Sequence, residues 1–230
     1  MTSRKKPLAA PVKKRILIVD DHPMMRQGLA QLIEAEPDLS VCGEAETAGS
    51  AFESIAALKP DLVLADISLP DKSGLELIKD FQSFQPGLPV LVISMHDESL
   101  FAERVLRAGG RGYIMKQEGG KKLMLAIRQV LSGQIYVSER MSAKIVEIFS
   151  GQRTAASSSP VEKLTDREFE VFQLIGQGKS TKEIATGLHL SAKTVEVHRI
   201  NIKQKLNLKS APELIRYAVR WVETESASGR

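Results

Sequence analysis

Cysteine is nearly absent: Cys42 stands alone in 230 residues, so no intrachain disulfide can form. It sits in the apolar segment LSVCGEA and reads as a core residue, not a reactive thiol. Long hydrophobic runs are missing as well. The longest, around Ile16–Val19, is a few residues, against the ~20 that a membrane-crossing helix needs. The basic opening MTSRKKPLAAPVKKR leads into no apolar stretch that could serve as a signal-peptide core. The chain is therefore expected in the cytoplasm, without a membrane partner. Two enzyme signatures also fail. GQGKS at 176–180 ends like a phosphate-binding loop, but Gln173 occupies the first glycine position, and no GxGxxG follows the first β-like run. A dedicated enzyme is not expected.

What is present suits two small globular domains. Hydrophobic residues make up 43 % and charged residues 26 %, ordinary globular usage. The net charge of +4 is unevenly spread. Residues 15–135 hold 12 Lys and Arg against 17 Asp and Glu, while residues 161–230 hold 12 against 9. That asymmetry suggests an acidic ligand-binding unit followed by a unit that faces nucleic acid.

The pattern divides the chain further. Residues 1–14 read as a basic flexible tail. Over 15–132, short β-branched runs alternate with helical spacing, giving strands at 16–20, 40–45, 61–66, 89–94 and 112–115. These strands are apolar along nearly their whole length. That is the mark of a doubly wound, five-stranded parallel α/β sheet covered on both faces. Residues 133–160 read as a linker with a helix at about 138–149 and the polar stretch SGQRTAASSSP. Residues 161–225 read as a separate all-α unit of four helices. Thr165 and Ser191 serve as N-caps, with Glu168 completing a capping box.

In the α/β unit, chemistry gathers at strand ends. Asp20 and Asp21 end the first strand and Asp66 ends the third. In such sheets ligands lie beyond the carboxyl ends of the strands. Three converging carboxylates need a cation, and this oxygen set selects Mg²⁺, which often bridges a phosphate. Ser94 ends the fourth strand and Lys116 follows the fifth, both suited to phosphoryl oxygens. A phosphatase with an aspartate nucleophile would need a second aspartate where Ser68 stands. His22 reads as a residue at the rim of the site and His96 as a surface-loop residue.

The stretches VDDHP (19–23), DLVLADISLPDKSG (61–74), VISMH (92–96) and RGYIMK (111–116) resemble the receiver domains of two-component response regulators, a flavodoxin-like fold. The resemblance covers nearly all of 15–132. It implies that Asp66 accepts a phosphoryl group from a cognate histidine kinase. It also implies that Asp21, Asp66 and the backbone carbonyl of Ser68 hold Mg²⁺, with Asp20 acting through water. Lys116 would pair with the phosphoryl group, and Ser94 and Tyr113 would form the switch.

In the helical unit, IATGLHLSAKTVEVH (184–198) is laid out as a helix, a turn and a capped second helix, the helix-turn-helix arrangement. LTDREFEVFQLIGQGKSTKEIA (164–185) and LSAKTVEVHRINIKQKL (190–206) resemble the LuxR-type DNA-binding domain, and the whole resembles NarL/FixJ-type regulators. By that resemblance Thr194, Val195, Glu196, Val197, Arg199, Ile200 and Lys203 lie on or near the DNA-facing helix. Glu196, Val197 and Ile200 are candidate base readers. Lys182, Lys193, Thr194, Lys203, Lys205 and Lys209 are candidate phosphate contacts. His198 reads as a packed residue. The implied partners are double-stranded DNA, the kinase, a second copy of the phosphorylated chain, and RNA polymerase. Without phosphate, the first unit is expected to pack on the second and hide Val195–Lys203. A DNA-binding regulator that works without phosphorylation remains the alternative.

Overall fold

The computed structural model describes residues 12–139, 141–143, 145 and 160–227. The tail before Val12, most of the helix expected at 138–149 and the polar stretch up to residue 159 lie outside the described residues.

Five strands, β1 Lys14–Val19, β2 Leu39–Ala45, β3 Leu62–Asp66, β4 Val90–Ser94 and β5 Gly112–Met115, alternate with α1 Pro23–Glu34, α2 Ala48–Leu58, α3 Gly74–Phe84, α4 Glu98–Arg107 and α5 Gly119–Leu131. All pairings are parallel, in the order β2-β1-β3-β4-β5. The order reverses between β1 and β3, so their carboxyl ends flank the switch point. One apolar layer joins α1 and α5 to the sheet through Leu29, Ile33, Leu123 and Ile127. The other joins α2, α3 and α4 through Ile55, Ile78, Phe81 and Phe101. Gly74 begins α3 directly behind Asp66. A Cβ there would lie 2.6 Å from the Asp66 carbonyl oxygen, so only glycine permits this start.

The helical unit contains α6 Asp166–Gly176, α7 Thr181–Gly187, α8 Ala192–Lys205 and α9 Ala211–Ala227, after a short 3₁₀ turn at Pro160–Lys163. The expected capping box of Thr165 and Glu168 is formed, and Ser191 caps α8. Ser180 and Glu183 form another box at α7.

The second apolar layer does not stop at the α/β unit. It continues into the helical unit through Val161, Leu164, Phe169 and Phe172. The Phe101 ring meets Phe169 edge-on, 5.2 Å between centroids, and Phe169 in turn meets Trp221 at 5.5 Å. Polar pairs flank this apolar seam. Arg104 of α4 donates to the carbonyls of Leu164 (3.2 Å) and Val161 (3.0 Å) and to Asp166 (3.2 Å), with its guanidinium 4.0 Å over the Phe169 ring. Lys79 donates to Asp166 at 2.7 Å, and the Ser73 hydroxyl, which also caps α3, donates to Glu170 at 2.7 Å.

Candidate phosphorylation site and nucleic-acid interface

The end of β1 turns sharply into α1. His22 is the N-cap residue of that helix and Pro23 its first position. Asp20 is fully buried. Its Oδ1 accepts the His22 N–H at 2.8 Å, and Arg26 of α1 donates to its carbonyl at 2.7 Å. Arg26 is itself buried and reaches Glu46 at 2.6 Å and Glu44 at 3.3 Å. Nothing in the sequence pattern singles out this arginine, because its partners lie on and beyond β2.

Asp66, also buried, is held from two sides. Lys116 Nζ lies 2.7 Å from Asp66 Oδ2 and 2.7 Å from Asp20 Oδ2, while the Ser68 N–H donates to Asp66 Oδ1 at 3.3 Å. Lys116 comes from a 3₁₀ turn, Lys116–Glu118, that follows β5. Burial pushes the Asp66 carboxyl up, against the pull of the lysine. Burial also works against the Lys116 ammonium, but Asp66 and Asp20 outweigh it and hold the ammonium above its ordinary range. The lysine thus remains a cation, the required partner for two carboxylates out of water.

Asp21 completes the group. Among the described residues, Asp20, Asp21, His22 and Asp66 form a cluster whose potential ligand atoms all lie within 4.8 Å of one another. Oδ1 of Asp21 is buried and accepts no hydrogen bond; its neighbour is Nδ1 of the exposed His22 side chain, at 2.6 Å. An orphaned carboxylate oxygen beside two further carboxylates is a donor set that fits a hard divalent cation.

Behind the site, Ser94 and Tyr113 are fully buried. Ser94 Oγ accepts the His96 N–H at 3.1 Å, and the Tyr113 hydroxyl donates to the His96 carbonyl at 2.8 Å. Burial raises the Tyr113 phenol, so it acts here as a neutral donor. His96 does not behave as the surface-loop residue expected. Its ring packs on Phe101, 5.0 Å between centroids, with Nε2 3.3 Å from Ser68 Oγ. Burial, with the charge of Lys116, lowers its pKa to about 4, so it is neutral at physiological pH.

On α8 the outward face carries Lys193, Glu196, Val197 and Ile200. Val195 is not among them. It is fully buried against the core of the helical unit, where its β-branched side chain cannot reach a groove, so its inclusion in the DNA-facing set is corrected. Arg199 is mostly covered and donates to Thr181, whose hydroxyl donates to Glu196 at 2.9 Å. Thr194 is engaged with the Ser191 cap. Lys205 turns back to Glu168 at 2.6 Å, because that nearly buried carboxylate needs a counter-charge. Lys182 and Lys209 are exposed and Lys203 is half-buried. His198 is half-buried, in line with a packed residue.

The two units do not meet as expected either. Val197 and Ile200 are each 48 % exposed, so docking leaves the reading face of α8 open. The two units face each other along the preceding helix instead. Leu188, Lys179 and Lys182 of the helical unit share a cleft of about 560 Å³ with Ser68 and His96 of the α/β unit.

Comparisons with known proteins agree with this layout. Residues 16–128 match the family described as response regulator receiver domain, and residues 162–218 match bacterial regulatory proteins, luxR family. The chain is 38 % identical over 210 residues to the oxygen regulatory protein NreC of Staphylococcus aureus, covering 90 % of this chain and 97 % of the relative. The chain belongs to the NarL/FixJ-type response regulators. Solved structures of the regulator's relatives extend the match. RcsB of Salmonella enterica serovar Typhimurium, bound to promoter rprA in the presence of phosphomimetic BeF₃⁻, superposes with a TM-score of 0.60 at 25 % identity over 90 % of this chain and 98 % of that one. A LuxR-family two-component response regulator from Aurantimonas gives 0.56 at 33 % identity, over 60 % of this chain and 99 % of that one. The regulator is thus a DNA-binding member of a two-component system, and its family is one of transcription factors, not enzymes. No helix among the described residues is long and apolar enough to cross a membrane.

Proposed function

We propose that the regulator is a cytoplasmic, phosphorylation-dependent DNA-binding transcription factor, with Asp66 as the phosphoryl acceptor for a histidine kinase. The observation that carries this is the buried triangle in which Lys116 Nζ stands 2.7 Å from both Asp66 and Asp20. A buried lysine that already serves two carboxylates is placed to serve a phosphoryl oxygen on one of them. Asp21, Asp66, Asp20 through water and the Ser68 carbonyl would hold Mg²⁺. When bound, that ion supplies charge neutralisation to the phosphoryl oxygens as an Asp66 oxygen bonds to phosphorus and the donor leaves. The new group brings about −1.5 to −2 of charge. It competes for Lys116 and attracts the Ser94 hydroxyl, which gives up the His96 N–H. His96 is stacked on Phe101, and Phe101 contacts Phe169, so the change at Asp66 reaches the seam between the domains. Separation then favours a dimer on two half-sites, RcsB having been solved as dimers bound to DNA, with RNA polymerase as a further contact.

Intact-protein mass spectrometry after incubation with acetyl phosphate and Mg²⁺ tests the chemistry. One phosphoryl adduct is expected on the wild type, none after EDTA and none on Asp66→Ala. No adduct at any Mg²⁺ concentration leaves a DNA-binding regulator that works without phosphorylation.

Contacts on α8 divide by role. Lys193→Ala is expected to weaken binding to every duplex and reduce the slope of log affinity against log salt by about one. Val197→Ala is expected to change preference between operators with the salt slope intact. Binding titrations at several salt concentrations separate these outcomes, and an unchanged slope in Lys193→Ala removes that residue from the phosphate contacts.

A further inference from the structure

Asp21 is shared between the two domains. Its Oδ2 lies 3.1 Å from Nε2 of His189, in the turn between α7 and α8. That turn is rigidly held. The Leu190 N–H donates to the Ala185 carbonyl at 2.8 Å, Arg167 donates to the Leu188 carbonyl at 2.6 Å, and His189 adopts the left-handed conformation with φ 51°. Meanwhile Oδ1 of the same carboxylate is buried and accepts no hydrogen bond.

We propose that His189 is a positioning residue for the divalent-cation site of the receiver: by holding Asp21 Oδ2 it presents Oδ1 to the ion, so metal binding and docking of the DNA-binding domain reinforce each other. The proposal rests on the Mg²⁺ reading above. Three observations favour it. A ligating carboxylate is held in orientation by a hydrogen bond on its second oxygen, and His189 makes the one bond to Oδ2 among the described residues. His189 takes Oδ2 and leaves Oδ1 facing only the His22 ring, 2.6 Å away on an exposed side chain that an entering ion can displace. Finally, the seam at Arg104–Asp166 and Ser73–Glu170 seats the turn over Asp21 from residues outside the acidic cluster.

Coupling of this kind is reciprocal. If docking tightens the metal site by some factor, the metal favours docking by that factor. The ion alone would then strengthen the closed state, and phosphorylation would have to overcome it.

The test measures Mn²⁺ binding to full-length protein by loss of the free-ion electron paramagnetic resonance signal, for wild type, His189→Asn and Arg104→Ala. Asparagine tolerates the left-handed conformation, so the turn is kept, but its amide is too short to reach Asp21. His189→Asn is expected to bind Mn²⁺ roughly threefold to tenfold more weakly. That is at or below the lower end of the ten- to hundredfold typical of outer-shell partners, because the imidazole is about half exposed. Arg104→Ala, which loosens the seam without touching the acids, is expected to weaken binding by a similar factor. Equal or tighter Mn²⁺ binding by His189→Asn overturns the proposal. So does wild-type affinity in Arg104→Ala when small-angle scattering shows its domains apart. A wild type that binds no Mn²⁺ overturns the Mg²⁺ reading itself, and this inference with it.

Discussion

Arg104→Ala is expected to raise the affinity of the unphosphorylated regulator for operator DNA about tenfold, equivalent to about 1.4 kcal/mol. Among the described residues, Arg104 makes more polar contacts across the domain seam than any neighbour. It makes hydrogen bonds to Val161, Leu164 and Asp166 and lies flat over Phe169. Hydrogen bonds from a charged donor are worth about 1.5–3 kcal/mol each when a partner is deleted, and a partly desolvated cation over a ring adds about 1 kcal/mol. The loss therefore exceeds the tenfold gain. The gain is capped because apparent affinity rises only until the open form dominates. The reading face stays open on docking, so the expected restraint comes from elsewhere. Docking places the receiver, whose net charge is negative, across a cleft from Lys182, a candidate phosphate contact. The check is duplex binding by fluorescence anisotropy, with scattering to measure domain separation. Separated domains with unchanged affinity would show that docking does not restrain DNA binding.

Lys116→Ala is expected to cost about 3–5 kcal/mol of stability at neutral pH with chelator present, the usual penalty for deleting one partner of a buried pair. The lysine side chain and its two carboxylates are each 5 % exposed or less. Without the cation, Asp20 and Asp66 face each other in a dry site, and the Asp66 carboxyl, already pushed up by burial, rises further above its unfolded value. A carboxyl with a raised folded pKa binds more protons folded than unfolded, so the variant's deficit shrinks as pH falls through that raised value. Mg²⁺ should restore more stability to the variant than to the wild type, because a ligand that binds only the native state stabilises it in proportion to its affinity. Urea unfolding followed by circular dichroism, with EDTA or with millimolar Mg²⁺, measures both effects. A deficit below about 1 kcal/mol, equal under the two conditions, would mean that Lys116 is not what balances these acids.

The α/β architecture was legible because buried parallel strands read as unbroken apolar runs, and LVLAD and VLVIS are such runs. Asp20, Asp66, Ser94 and Lys116 were legible for the same reason: each sits at or just past the end of a strand, so chain order alone puts them on one rim. Residues that work across the seam were not. Arg104 and Asp166 are 62 positions apart and look like ordinary helix charges. Ser73 and Glu170 each satisfy a local role, as a cap and as part of an Arg167 pair, that hides the bond between them. Val195 was misread because it lies one position from exposed Glu196 and two from exposed Val197. On a helix a single step turns a side chain by about 100°, enough to move it from groove to core.

The sole tryptophan has a consequence of its own. Trp221 sits edge-on to Phe169, and Phe169 sits edge-on to Phe101 across the seam. The molecule therefore carries a built-in optical gauge. Its single indole lies one ring away from the surface where the domains part, so its emission follows docking with no label attached.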